Sequence, residues 1–151
     1  MVRKYYNSIY GSCYQNLKDV ITDLGLTELF DFTTSPLRIT NKINGNFFIG
    51  LGCDDVSKIK SVSDISRLWI EEDIIDFDSF NVIASSIRTE KAKVQILMSI
   101  NPEVDEANYE DNWMFKMFFK NRYPKELSFR DYFNVKLFDK EIKLDYTVHH
   151  I

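Results

Sequence analysis

Apolar positions in the chain follow helical spacing in some stretches and strand-like runs in others. From Ser8 to Leu24, the residues Tyr10, Cys13, Leu17, Val20, Ile21 and Leu24 recur at helical spacing, and Gly25 follows as a stop. Phe30 to Ser35 reads as a turn region. Two short β-type segments come next, Leu37–Thr40 and Phe47–Leu51, separated by Asn44-Gly45. That spacing predicts an antiparallel hairpin, placed in the same sheet as the later strands. The segment from Gly52 to Ser61 reads as a polar, exposed linker. Beyond it, Leu68–Glu71 and Val94–Ile100 read as two buried strands. Between them lies a helix from Phe77 to Arg88, with Phe77, Phe80, Ile83, Ala84 and Ile87 inward. This alternation predicts a right-handed βαβ unit with adjacent parallel strands.

The remainder is less regular. Pro102 to Asn112 is an acidic loop, Trp113–Lys120 a short aromatic helix, and Tyr123-Pro124 a break. Phe129 to Lys143 shows little pattern. Leu144, Tyr146 and Val148 alternate with Asp145, Thr147 and His149, which predicts a final strand. Met1-Val2 reads as the end of a strand that begins upstream, and no capping turn follows the last strand. There is no internal repeat, low-complexity tract or interdomain linker. The expected fold is a three-layer α/β sandwich with a mainly parallel sheet and one antiparallel hairpin.

Composition narrows the class. The chain has 151 residues, of which 44% are hydrophobic, enough for one domain with its own core. No apolar run approaches the roughly 18 residues of a membrane span, and no apolar signal core follows Met1, so the expected location is cytoplasmic. Cys13 and Cys53 read as free thiols rather than a disulfide. With no CxxC and only His149 and His150 as histidines, a zinc site has little support. A net charge of −4 argues against a uniformly basic nucleic-acid binder, while leaving room for local contacts.

The candidate chemistry sits at two strand ends. The run Arg67-Leu68-Trp69-Ile70 ends in Glu71-Glu72-Asp73, and the run Val94–Ile100 ends in Ser99-Ile100-Asn101-Pro102. A nucleotide-hydrolysing site needs one carboxylate to hold Mg²⁺ and a second to orient or deprotonate the attacking water. An amide on the neighbouring strand can sense the terminal phosphate. Ligands in open parallel sheets bind at these C-terminal strand ends. The plainer alternatives are an exposed acidic turn at Glu71-Glu72 and an ordinary loop start at Asn101-Pro102. Asp54, Asp55, Lys58, Lys60 and Ser61 read as a solvated loop. Arg88 reads as a helix cap, with a reach toward a neighbouring subunit's phosphate as the alternative. His149-His150 reads as a strand end. The Trp113–Phe119 helix reads as core, with base stacking as the alternative. No GxxxxGK[ST] loop occurs anywhere in the sequence.

Taken in order, these segments resemble the ATPase domain of phage terminase large subunits, the motors that package DNA into procapsids. The opening Val2-Arg3-Lys4, Asn7-Ser8 and Ser12 is similar to the segment after that family's phosphate-binding loop. The stretch Gly45 to Asp55, followed by Lys58-Ile59-Lys60-Ser61, is similar to its hairpin and following loop. Trp69-Ile70-Glu71-Glu72 looks like its Walker B segment, and Ser99-Ile100-Asn101-Pro102 like its coupling motif. Val148-His149-His150 resembles a strand ahead of a further family motif.

The resemblance implies a RecA-like P-loop NTPase fold lacking its N-terminal phosphate-loop unit. It implies Glu71 at the metal position, Glu72 as the catalytic carboxylate, and Ser99 and Asn101 in coupling. The implied cofactors are Mg²⁺ and ATP. The implied partners are double-stranded DNA, the portal protein and the small terminase subunit, in the host cytoplasm. Two departures are the missing phosphate-binding loop and the missing nuclease domain, as in a fragment of a longer protein. Two other readings stay open: a non-catalytic α/β interaction module or remnant, and a different P-loop ATPase such as a helicase.

Overall fold

Val2 and Arg3 form a strand of only two residues, yet they lie inside the parallel sheet, with a strand on either side. The computed structural model describes residues 1–72, 75–87, 89, 92–101, 109–120, 122, 125–126, 128–137 and 140–149. The chain divides into two units, Met1–Pro102 and Glu103–Ile151.

In the first unit, β1 (Val2–Arg3) leads through a single turn at Tyr6–Ser8 into a π-helical turn, Tyr10–Tyr14. This turn continues as α1 (Gln15–Asp23). The predicted helix from Ser8 to Leu24 is therefore present, with a wider first part. Gly25, at a φ of +68°, ends it in the left-handed region that a side chain disfavours. Its buried face is Ile9, Cys13, Tyr14 and Ile21, with Leu17 at the margin. Val20 and Leu24 were expected to face inward and are exposed instead. The π turn holds an extra residue per turn, and this rotates the faces of α1 relative to a regular helix.

Three antiparallel strands come next: β2 (Phe30–Thr34), β3 (Leu37–Asn41) and β4 (Phe47–Ile49), in the order β2-β3-β4. The predicted hairpin is present, with Arg38 opposite Ile49 and Thr40 opposite Phe47. Two expectations are corrected. Phe30 to Thr34 is a strand, not a turn, because Phe30 and Phe32 lay one face against the core formed by Ile39 and the helix. The hairpin also belongs to its own sheet rather than the parallel one.

The chain changes sheets at Gly50. β5 (Leu51–Gly52) pairs parallel with β1, setting Val2 opposite Leu51 and Arg3 opposite Gly52. A Cβ on Gly52 would lie 2.6 Å from the Tyr6 backbone nitrogen and 2.9 Å from its Cα, so only glycine fits. The segment read as an exposed linker is structured too. A turn at Cys53–Asp55 runs into α2 (Val56–Ser61), which buries Ile59 and packs against α3 (Phe77–Ser86). Two apolar residues, Val56 and Ile59, in a polar hexapeptide are too few to give a periodic signal, so the helix was not legible.

β6 (Arg67–Glu72) and β7 (Gln95–Ile100) are adjacent and parallel, as predicted, and complete the order β5-β1-β6-β7. Leu68 and Ile70 are buried, which suits a strand with a neighbour on each side. β7 departs from expectation: Ile96 is 37% and Leu97 58% exposed, because β7 is the last strand on its side of this sheet. Between them, Asp76 caps α3. Its Oδ1 accepts from the Ser79 N–H at 2.8 Å and its Oδ2 from the Ser79 hydroxyl at 2.6 Å. Phe80, Ile83 and Ile87 are buried as predicted, but Phe77 is exposed. Arg88 lies outside the described residues. Among the described residues no helix is long and apolar enough to cross a membrane.

The second unit is a long antiparallel hairpin, β8 (Ser128–Leu137) with β9 (Lys140–His149), and a short aromatic helical segment. The final strand is as predicted from Leu144 but begins earlier, at Lys140, and the described part of the unpatterned region before it is strand as far as Leu137. Charged residues on both sides of these strands hide the alternation that marks a half-buried strand. Phe118 meets Tyr146 edge-on at 5.4 Å, and Phe119 meets Phe129 at 6.1 Å. Asp131 holds Lys120 at 3.1 Å and Arg122 at 3.2 Å. The Tyr132 N–H, then Lys120 and Arg122, hold the Asp131 carboxyl below the usual aspartate range.

Gly52→Ala should destabilise the first unit by about 1–3 kcal/mol through overpacking against backbone. Gly11→Ala, with open space around its Cβ, should be neutral to mildly stabilising; urea denaturation of the two variants checks this. The depressed Asp131 carboxyl stabilises the folded form above the ordinary aspartate pKa, and that contribution is lost as pH falls through its folded value. Asp131→Asn should therefore flatten the acid limb of the stability profile, followed by Trp113 fluorescence.

Candidate functional site at the end of the parallel sheet

The pairing of the four parallel strands places one row of residues at a common level. Arg3 lies opposite Gly52 on one side. Val2 lies opposite Ile70 on the other, which brings Arg3 beside Glu71. Glu71 is paired with Ser99, and Glu72 with Ile100. Paired residues in a parallel sheet share a face, and neighbouring strands are about 4.8 Å apart. Arg3, Glu71 and Ser99 thus form a line on one face near the C-terminal ends of their strands.

The side chains confirm that line. Arg3 Nε stands 3.3 Å from Glu71 Oε2, and both side chains are mostly buried, at 11% and 20% exposure. The Nε–H is not aimed at the oxygen well enough for a hydrogen bond, so the contact is an ion pair. Arg3 Nη1 donates to the Ser8 carbonyl at 3.2 Å, tying the guanidinium to the turn after β1. The Cys13 thiol donates to the same Glu71 Oε2 at 3.5 Å. The Ser12 hydroxyl lies 3.8 Å from the sulfur and donates to the Ser8 carbonyl at 2.8 Å. Burial pushes the Cys13 thiol up; the Ser12 contact opposes this and the nearby Glu71 charge adds to it. The thiol therefore stays protonated near neutral pH and acts as a donor. On the same face, Trp69 Nε1 donates to the Ser99 hydroxyl at 2.8 Å.

Each candidate residue has a definite place. Glu71 and Ser99 are level with each other, and Glu72 is the last residue of β6. Asn101 follows β7 directly and is exposed. All four stand at the same end of the sheet. The Glu72 side chain, Asp73, Pro102 and His150 lie outside the described residues. The expected solvated loop contains α2, with Lys58 and Lys60 exposed on it. The His149 ring nitrogen Nδ1 lies 2.7 Å from the Ser128 hydroxyl, a strand-end contact. Phe115 is buried, in keeping with a core role for the aromatic helix.

Sequence reasoning missed Arg3, Cys13 and Trp69 as parts of the site. Trp69 could have been found, since it precedes Glu71 by two positions and so shares its face. No sequence signal links Arg3 or Cys13 to Glu71; the link depends on strand order.

No group of three or more His, Cys, Asp or Glu residues is gathered for a metal among the described residues. Mg²⁺ asks for less: it commonly takes one or two carboxylates, several waters and substrate phosphate oxygens. Arg3 and Cys13 both engage Oε2 of Glu71, so its Oε1 takes no bond from the described residues. One partly exposed carboxylate near the sheet's C-terminal end, with an oxygen that takes no bond from the described residues, fits that modest demand.

The comparisons with known proteins agree with this architecture. The family model for the phage terminase large subunit matches residues 1–150. The PBSX phage terminase large subunit of Bacillus subtilis (strain 168) is 28% identical over 153 aligned residues, covering 99% of this chain and 33% of that protein. The terminase large subunit of Bacillus phage SPP1 is 38% identical over 76 residues, covering 48% of this chain and 18% of that protein. The chain thus spans about a third of the length, or less, of these relatives. Matched along nearly its whole length, it belongs to the phage terminase large subunit family.

Proposed function

We propose that this chain forms the part of a terminase large subunit's ATP-hydrolysing motor domain that carries the carboxylates and the coupling residues. The observation that supports this most directly is the parallel pairing of β6 with β7, which brings Glu71, Glu72, Ser99 and Asn101 to one end of the sheet. That is where open parallel sheets bind ligands, and a RecA-like P-loop arrangement is consistent with it.

In this reading Glu71 presents an oxygen to the metal side of a Mg²⁺–ATP complex. Glu72 orients and deprotonates the attacking water. Asn101, exposed after β7, meets the terminal phosphate region, and Ser99, held by Trp69, fixes the strand end from which Asn101 projects. Bound Mg²⁺ would neutralise developing charge on the phosphates. The phosphate-binding loop comes from polypeptide outside this sequence, since none of the five glycines here belongs to a GxxxxGK[ST] motif. The whole protein would then use this hydrolysis to drive double-stranded DNA through a portal, working with the portal protein and the small terminase subunit.

The second reading is a non-catalytic α/β interaction module. The absent phosphate-binding loop favours it for the isolated chain. The two readings separate by experiment. The isolated chain should show ATP turnover far below the roughly 1 s⁻¹ of a working enzyme, as measured by phosphate release. Joined to a phosphate-binding segment from its own full-length protein, it should hydrolyse Mg-ATP. Glu72→Gln should then lower kcat by about 10²–10⁴-fold while nucleotide binding persists, because Gln keeps the shape and loses the base. Wild-type turnover in that variant would leave the interaction module as the better reading.

A further inference from the structure

The Arg3–Glu71–Cys13 contact is more than an ion pair that fills a buried corner. A cation and a thiol donor from separate elements converge on a single carboxylate oxygen. Arg3, on β1, reaches Oε2 at 3.3 Å, and Cys13, on the π turn, reaches the same Oε2 at 3.5 Å. The guanidinium is itself fixed by its bond to the Ser8 carbonyl. The other oxygen, Oε1, takes no bond from the described residues, and the side chain as a whole is 20% exposed. A carboxylate held this way through one oxygen cannot rotate freely about its last torsion, and Oε1 is left as the oxygen without a bond from the described residues.

We propose that Arg3 is a positioning residue for the metal-binding carboxylate. With Cys13 it clamps Oε2 of Glu71 so that Oε1 is presented to the divalent cation of the bound nucleotide. This rests on the reading of Glu71 as the metal carboxylate. The physical ground is general: partners that hydrogen-bond or ion-pair with a metal ligand fix its orientation, and removing one costs about 10–100-fold in metal affinity or activity. The clamp also links the cation site to the helical segment that begins at Ser8, because Ser8 and Cys13 both belong to that stretch.

The test uses the full-length terminase polypeptide that contains this segment and its own phosphate-binding loop. Mn²⁺ serves as the probe, titrated by electron paramagnetic resonance in the presence of a non-hydrolysable ATP analogue. Arg3→Gln should weaken Mn²⁺ binding by about 10-fold or more, and Arg3→Lys should recover part of the loss, since Lys keeps the charge without the fork. In a Glu71→Gln background, Arg3→Gln should add little further loss, as a residue acting through Glu71 must. An equal loss in both backgrounds would show that Arg3 acts elsewhere and overturn the proposal. So would Mn²⁺ binding within twofold of wild type in Arg3→Gln while Glu71→Gln binds weakly, an outcome that leaves the metal role of Glu71 standing. Undiminished binding in Glu71→Gln would instead remove that metal role. Should Arg3→Gln not fold, Arg3→Lys and Cys13→Ala carry the same cycle, with Cys13→Ser as the variant that keeps a donor.

Discussion

The central constraint in the first unit is the double pairing of a two-residue strand. Val2 lies between Leu51 and Ile70, and through that contact three separate stretches of chain join one parallel sheet. Parallel pairs need long crossover connections, so each neighbour comes from far along the sequence. The side chain of Val2 is almost wholly buried, as befits a strand with partners on both edges. Moving this strand by one residue would put Val2 in place of Arg3 on the site face, because side chains alternate along a strand.

The close approach at Gly52 is a consequence of that pairing. Gly52 sits opposite Arg3, directly beneath the turn in which Tyr6 carries the chain away from β1. The same short connection takes the polypeptide out of the antiparallel sheet and into the parallel one. The antiparallel sheet is then free to cover the helical segment, where Leu37 and Ile39 meet Ile9, Cys13 and Tyr14. One core thus serves both sheets, and Trp69 of β6 packs at its margin.

Electrostatics at the sheet end depend on the same geometry. A carboxylate as enclosed as Glu71 is costly without a counter-charge, and Arg3 supplies one from the adjacent strand. The protonated Cys13 thiol and the Trp69–Ser99 bond complete a polar row along that face. Every polar group in that row is held by a neighbour on a different element, which makes the row rigid and its orientation defined.

The sequence alone determined the local elements with strong period or punctuation. The helix from Ser8 to Gly25, the Asn44-Gly45 hairpin, the βαβ unit ending in Glu71-Glu72 and Ser99-Asn101, and the last strand were all legible, since each rests on neighbouring residues. Segments whose apolar residues are few or masked by charge were not legible, namely β2, α2 and the first half of the β8–β9 hairpin. Strand order, the split into two sheets and the exposed state of β7 were decided only by tertiary structure. So was the meeting of Arg3 and Cys13 with Glu71, from which Cys13 is 58 positions away in sequence and Arg3 further still, the Arg3 contact arising from parallel pairing. A long-range parallel register leaves no periodic trace in the residues that form it, which is why the candidate carboxylates could be read from the chain and the clamp that holds one of them could not.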